Sequence, residues 1–426
     1  MVRFPSLMFL IVVSVPIATE SPAFAADPAI FWKKTVLDTQ FRSEGVAVAD
    51  VNRDGKMDVL VGEFWYEAPN WTRHEMQKPG NYGDGLNGYS KVFACWAEDL
   101  NADGYPDLIV IDFPGLPCYW LENPKGLTTT AEGKPVHWKR HTIWHSACNE
   151  TPVYTDQLIP GKKVLLMGFQ PPGKEREGQM AYFTPNPKDP YSPWIMHPVS
   201  EPSTPPEIKD GKPVPGTGKE IPGTFKFSHG LGVGDINGDG RADVIVTAGW
   251  WEQPEQLTDK PWRFHPANLG EPAADLFAVD IDGDGYNDVL STSAHKFGIW
   301  YHRQRPAATS EQSPTFEKVV LFPELVSETH AAHFVDIDGD GLKDLVTGKR
   351  KYSHGLREPG AAMPATIYWL KATRQSDGSI RFIPQVIDED SGIGTQFQVV
   401  DVNGDGLLDV VTSNKKGVHM ILQQRK

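Results

Sequence analysis

Asp50–Asp58 reads DVNRDGKMD, and the same nine-residue design returns as DLNADGYPD (Asp99–Asp107), DINGDGRAD (Asp235–Asp243), DIDGDGYND (Asp280–Asp288), DIDGDGLKD (Asp336–Asp344) and DVNGDGLLD (Asp401–Asp409). Oxygen-bearing side chains stand at positions 1, 3, 5 and 9, and Gly at position 6 permits a sharp turn. With a backbone carbonyl from position 7, such a loop wraps a hard cation of calcium's size. The expected ligands are Asp50, Asn52, Asp54 and Asp58; Asp99, Asn101, Asp103 and Asp107; Asp235, Asn237, Asp239 and Asp243; Asp280, Asp282, Asp284 and Asp288; Asp336, Asp338, Asp340 and Asp344; and Asp401, Asn403, Asp405 and Asp409. An Asp/Gly-rich hairpin without metal would explain the turn, but not the alternate oxygens or the fixed ninth aspartate. An EF-hand is excluded because position 12 never carries the bidentate Glu and no helical periodicity flanks the loops.

The flanks read as strands. Short apolar runs precede the loops (Gly45–Ala49, Phe334–Val335) and follow them (Val59–Val61, Val244–Val246), and third and fourth runs such as Gly298–Tyr301 and Phe316–Leu321 come after. Four strands per repeat make a propeller blade. The loops begin 45 to 65 residues apart, except that 136 separate Asp99 from Asp235. A blade with a decayed loop, from Thr155 to Gly168, fits that gap, so the expected fold is all-β: one seven-bladed β-propeller over residues 26–426, with six calcium-binding hairpin loops. A Pro/Gly/Lys-rich insertion is expected at about 171–222. The chain ends on a third strand, Val418–Leu422, and begins with a run resembling a fourth, Phe31–Leu37, so the two termini should close one blade and remove an exposed sheet edge.

Residues 1–25 have the form of a secretory signal: Arg3, an apolar run from Leu7 to Ile17, and Ala23-Phe24-Ala25 before the cut. That run is too short for a membrane span, and no other stretch is apolar enough. The expectation is a secreted or periplasmic monomer with no transmembrane segment after cleavage. Cys95, Cys118 and Cys148 allow at most one disulfide and read equally as buried small hydrophobes. The net charge of −14 leaves no basic footprint for nucleic acid. Twenty aspartates lie in the six loops, so bound divalent cations account for the acidity better than a basic partner does.

Each inner strand starts on one face and runs to its loop on the other, so the first face is where a site should form. Six residues before the leading aspartates lie Glu44, Phe93, His229, Ala274, His330 and Thr395, with Glu150 at the equivalent place in the decayed repeat. Five to seven residues past the ninth aspartates come Glu63, Trp65, Asp112, Trp250, His295, Lys349, Arg350 and Asn414. Acids, bases and indoles together suit a sugar, whose hydroxyls need partners and whose C–H faces stack on aromatic rings. A polar, water-filled funnel with Trp packed between blades is the plainer alternative. The chemistry these residues support is proton abstraction beside a carbonyl. His229 or His330 would be the base, Lys349 or Arg350 would stabilise enolate-like charge, and Glu44 and Glu150 would complete the catalytic set. Arg42, Lys91, Trp65, Trp250, His295 and Gln396 would bind substrate. His229, His330 and either Glu could instead hold an additional divalent metal.

Loops preceded by strands, as in GVGDINGDG (Gly232–Gly240), resemble FG-GAP or VCBS repeats, the type found in integrin α-chain propellers. That resemblance implies the propeller and calcium, and it hosts adhesion modules, lectins and lyases alike. More narrowly, SHGLG (Ser228–Gly232), ETH (Glu328–His330) and DSGIGTQ (Asp390–Gln396) are similar to the propeller of fungal aldos-2-ulose dehydratase, which implies elimination of water from a keto-sugar. Two functions of different class follow: a carbohydrate lyase or dehydratase acting on a keto- or oxidised sugar in the funnel, or a non-catalytic carbohydrate- or protein-binding module stabilised by calcium.

Overall fold

A computed structural model describes residues 30–174, 177–307 and 312–426, and the proposed signal at 1–25 lies outside the described residues. Seven four-stranded antiparallel sheets follow one another along the chain. Their first strands are Ala47–Ala49, Ala94–Glu98, Val153–Thr155, Leu231–Gly234, Phe277–Val279, Ala332–Val335 and Gln398–Val400. First strands of the first and second, the fourth and fifth, and the first and seventh blades touch, so the sheets surround an axis. No helix occurs among the described residues, and none could cross a membrane.

Burial explains why the strands read as they do. Second strands such as Asp107–Ile111, Val164–Phe169 and Asp409–Asn414 are buried at every residue, because blades cover both of their faces. Outermost strands such as Ile30–Asp38 have one covered face and mix half-buried with exposed positions. Ile30–Asp38 pairs antiparallel with the final strand, Gly417–Arg425, as the fourth strand of the seventh blade.

Between the first and second strands of six blades lies the nine-residue loop, and its ninth aspartate is wholly buried. In the first blade Asp58 Oδ2 accepts the Val51 amide at 2.9 Å and Oδ1 the Ala68 amide at 2.8 Å. The same pair of bonds recurs at Asp107, Asp243, Asp288, Asp344 and Asp409. The second donor is often an Asn or Gln whose side-chain amide reaches into the preceding blade. Asn123 donates to Val51 O, Gln253 to Leu158 O, Gln304 to Ile236 O and Gln423 to Ile337 O, at 2.8 to 3.0 Å. Ala372 holds that position in the sixth blade, and there the Ile380 backbone amide bonds Ile281 O at 2.6 Å. These bonds satisfy buried carbonyls at the blade seams, where apolar packing alone would leave them bare.

The structure corrects one boundary. Gln179–Thr184 and Ile195–Pro198 are the third and fourth strands of the third blade, inside the expected 171–222 insertion. Four prolines between them (Pro185, Pro187, Pro190 and Pro193) disguised the strand pattern, and the insertion is the later part, with a two-stranded ribbon at Ile208–Lys209 and Lys212–Pro213.

Gln423→Ala should destabilise the protein by about 1–3 kcal/mol, because it strands the buried carbonyls of Ile337 and Leu408. Urea unfolding checks this; a midpoint equal to the parent's would show the seam bond to be without weight.

Candidate functional site at the propeller axis

Every blade delivers a residue to one end of the axis. Glu44, Phe93, Glu150, His229 and His330 immediately precede first strands, while His295, Arg350 and Lys415 immediately follow second strands. Antiparallel pairing brings those two kinds of position to the same face.

At the centre lies a carboxylate–guanidinium–carboxylate bridge. Arg350 Nη1 donates to Glu150 Oε2 at 3.0 Å and Nη2 bonds Glu44 Oε1, with all three side chains no more than 3% exposed. Glu150 Oε2 also lies 3.7 Å from His229 Nε2 and 3.8 Å from His330 Nε2. Ligand atoms of His229, His295 and His330 all fall within 4.8 Å of one another. The backbone sets the ring orientations. Phe227 and Glu328, each two residues before an axial histidine, adopt left-handed φ of 63° and 56°, a conformation costly for non-glycine residues. The Glu328 carbonyl lies 3.2 Å from His330 Nδ1, and the Phe227 backbone bonds the His229 ring likewise. Both Nδ1 atoms thereby hold a proton, and both buried Nε2 atoms have no hydrogen-bond partner. Burial, with Arg350 nearby, holds His330 far below the usual imidazole range; burial lowers His229 too, against the opposing pull of Glu150.

Around this centre, His295 Nδ1 meets Glu358 Oε1 at 2.8 Å, and His354 Nδ1 meets the same oxygen at 2.7 Å. Lys415 Nζ lies 4.0 Å from Glu44 Oε1, donates to Tyr352 O at 2.7 Å and sits 4.3 Å above the Tyr89 ring. Burial, reinforced by Arg350, brings its amine down to about 8. Tyr89, Phe93, Phe113 and Phe227 touch in sequence, with centroids 5.3 to 5.9 Å apart, and form an aromatic wall. Phe227 is 42% exposed and, with Phe225 and His229, lines a cavity of about 580 Å³.

Several expected site residues lie elsewhere. Trp65 and Trp250 are 1% exposed in the cores between blades, stacked on His74 and His265, because an indole one strand out from the axis packs against the next blade. The same stacking takes up His141 on Trp120. Gln396 uses both ends of its amide on backbone, accepting from Val46 N at 2.8 Å and donating to Phe397 O at 3.0 Å. Lys91 is exposed beside Tyr82 and Asp112, outside the central cluster. Lys349 is tied to Glu328 and Ser327, which leaves it unable to meet a substrate charge. Arg42 bonds Asp38 at 2.8 Å at the cluster's edge. Lys415 was missed although it stands six residues past Asp409, the offset that Arg350 has from Asp344. His354 and Glu358 come from a loop without periodicity and gave no signal.

The loops form a second kind of cluster. Carboxylate oxygens of Asp280, Asp282 and Asp288 converge within 4.8 Å, as do those of Asp336, Asp338 and Asp344. Arg303 bonds Asp282, and Lys371 bonds Asp338. Burial, with the other loop aspartates adding to it, raises the ninth aspartates to about 6 in the first, fifth and seventh blades, and to about 7 in the second, fourth and sixth. The three cysteines are free and buried.

Seven four-stranded sheets around a polar axial cluster define a β-propeller with a funnel site. The FG-GAP-like repeat matches residues 280–347 and the FG-GAP repeat residues 227–254, which together with the seven sheets supports a β-propeller of the FG-GAP type. No curated protein matches it in sequence. Similar solved structures include an Agrocybe aegerita lectin that recognises non-reducing terminal N-acetylglucosamine (13% identity, 93% of this chain and 86% of that one, TM-score 0.39). BBS1N in complex with ARL6DN is similar at 11% identity, 93% and 97% coverage and TM-score 0.46. Rhamnogalacturonan lyase YesW is similar at 12% identity, 94% and 74% coverage and TM-score 0.35.

Arg350→Met should cost about 3–5 kcal/mol of stability, because it leaves Glu44 and Glu150 buried without a counter-charge. Adding Glu44→Gln and Glu150→Gln should recover much of the loss. Equilibrium denaturation of the single and triple variants reads both effects, and no recovery would place the arginine's contribution in packing.

Proposed function

We propose that the protein is an exported, calcium-stabilised carbohydrate lyase or dehydratase whose reaction centre is the axial cluster and whose substrate is a keto- or carboxyl-bearing sugar. The observation that carries this reading is the pair of buried, partnerless Nε2 atoms of His229 and His330, aimed at Glu150 beside His295. Buried polar atoms without partners are uncommon and point to something that satisfies them. Three imidazoles and a carboxylate make a donor set for a divalent transition metal, so these four residues fit one. A metal held by His229, His295, His330 and Glu150 would supply Lewis acidity toward the oxygen of a carbonyl or carboxylate.

The chain's own groups supply the rest. Arg350 anchors Glu150 and Glu44 at the centre of the site. The aromatic wall from Tyr89 to Phe227 offers ring faces to the C–H surface of a sugar. Lys415, with its lowered amine, accepts the proton from the carbon beside the polarised carbonyl; a base whose pKa lies near the working pH is best suited to that step. The C–H electron pair becomes the new C=C bond, the C–O bond on the next carbon breaks, and the departing oxygen takes up one proton as water or as a sugar hydroxyl. Nothing is oxidised or reduced. This places the base at Lys415 and moves His229 and His330 from that role to metal ligation.

The test follows absorbance of an unsaturated product on keto-sugars and uronic-acid polysaccharides, with calcium and a transition metal supplied. Lys415→Ala and His330→Ala should each lower turnover by about 10²-fold or more, and His330→Ala should also lose about one equivalent of bound metal by elemental analysis. Silence toward every substrate, with sugar binding still measurable by calorimetry, would establish the non-catalytic module instead.

For the loops, the reading is six structural calcium ions, held at the end of the blades away from the reaction centre. It is supported by the convergent carboxylates of the fifth and sixth blades and by ninth aspartates, in all six loops, whose burial a cation would compensate. Each site kept at 100-fold its dissociation constant adds about 2.7 kcal/mol. Chelator should therefore lower the melting temperature steeply, and added calcium should restore it; a melting temperature indifferent to both would count against the ions.

A further inference from the structure

Beside the axial cluster a cavity of about 840 Å³ opens between the strand end at Phe41 and Arg42, the loop Gly80–Asp84, the turn at Lys351 and Tyr352, and the hairpin at Lys415 and Lys416. Its volume is that of a small-ligand site. In a chain of net charge −14, this lining holds four cationic side chains and a single carboxylate, that of Asp84. The carboxylates that accompany the cations stand outside the lining: Asp38 bonds Arg42, Asp390 bonds Lys416, and Glu44 is shared between Lys415 and Arg350. Lys351 makes no ion pair among the described residues, and its Nζ lies 4.7 Å from the Tyr352 ring centroid. Tyr82 and Phe41 pack edge to face at 5.8 Å on the opposite wall, with the Tyr82 hydroxyl bonded to Glu63. Lys415 belongs both to this lining and to the axial cluster, so one ligand can reach from the cavity to the reaction centre.

We propose that this cavity is a second carbohydrate subsite that takes an anionic sugar unit, its acidic group on Lys351 and Lys416 and its ring against Tyr82 and Tyr352. The substrate of the axial site is then an acidic oligosaccharide rather than a neutral sugar, with one unit at the histidines and its neighbour here. This inference deepens the lyase reading and rests on it for the identity of the neighbouring site. The cations are mostly lysines, point charges without the fork that selects planar carboxylate, so a hexuronate and a sulfate ester share the chemistry.

The test is calorimetric and needs no turnover. Wild-type protein, with calcium present, is titrated with a tetragalacturonate, with its methyl ester as the neutral counterpart, and with a sulfated oligosaccharide of similar length. The structure leads us to expect binding of one or both anionic ligands at least tenfold tighter than the neutral ester, weakening with salt. Lys351→Ala with Lys416→Ala should remove about tenfold of that affinity while shifting the melting temperature little, since Lys351 makes no ion pair among the described residues and Lys416 pairs with Asp390, whose side chain is exposed. Preference for tetragalacturonate assigns a carboxylate, and preference for the sulfated ligand assigns a sulfate ester; either supports the subsite. Equal affinity for charged and neutral sugars, no binding of either anion, or anion affinity unchanged in the double variant overturns it. If the double variant behaves as expected while no substrate is turned over, the subsite stands and the lyase reading alone fails.

Discussion

The ninth aspartate of each loop is the constraint on which the ring depends. A carboxylate with one oxygen on its own loop and the other at the end of the third strand, one hairpin away, fixes the first, second and third strands of a blade relative to one another. It does so at a place where the chain has no side-chain bulk to spare, and the bonded Asn or Gln carries the constraint across to the preceding blade. A hydrophobic contact at the same position would be indifferent to small rotations of one blade against the next. A pair of directional bonds to buried carbonyls is not, so the angular step between blades is set by hydrogen bonding as much as by packing.

That angular step explains how a precise cluster can form from residues that are mostly far apart in sequence. The bridge Glu44–Arg350–Glu150 joins positions 306 and 200 residues apart. Each of its members sits within a few residues of an inner strand, so its position is inherited from the blade rather than from a loop. The left-handed residues at Phe227 and Glu328 refine that inheritance: a strained backbone turns each carbonyl onto an imidazole, and the opposite ring nitrogen faces the axis.

The architecture was legible because its signals are periodic. Six nine-residue loops at near-regular spacing mark the blades, and the offset of six residues picked out Glu44, Glu150, His229 and His330, which the structure brings together. The same counting failed one strand further out. Trp65 and Trp250 carry the same offset logic, but an indole fills the seam between blades better than it fills a wet funnel, and burial of its large apolar face decides the matter. Gln396 lies at a seam, where its amide is bonded by backbone at both ends. Lys415 and the Glu358 loop show the other limit: the first was in reach of the counting and passed over, and the second has no pattern to count. The decayed third blade hid its outer strands among prolines for a related reason, since strand recognition leans on alternation that Pro and Gly interrupt.

All seven blades place at least one side chain in the axial cluster, from Glu44 in the first to Lys415 in the seventh. A ring whose last sheet is assembled from both ends of the chain therefore has no partly built form of this site. Until Ile30–Asp38 is zipped onto Gly417–Arg425, the residues at the axis have no common centre to face.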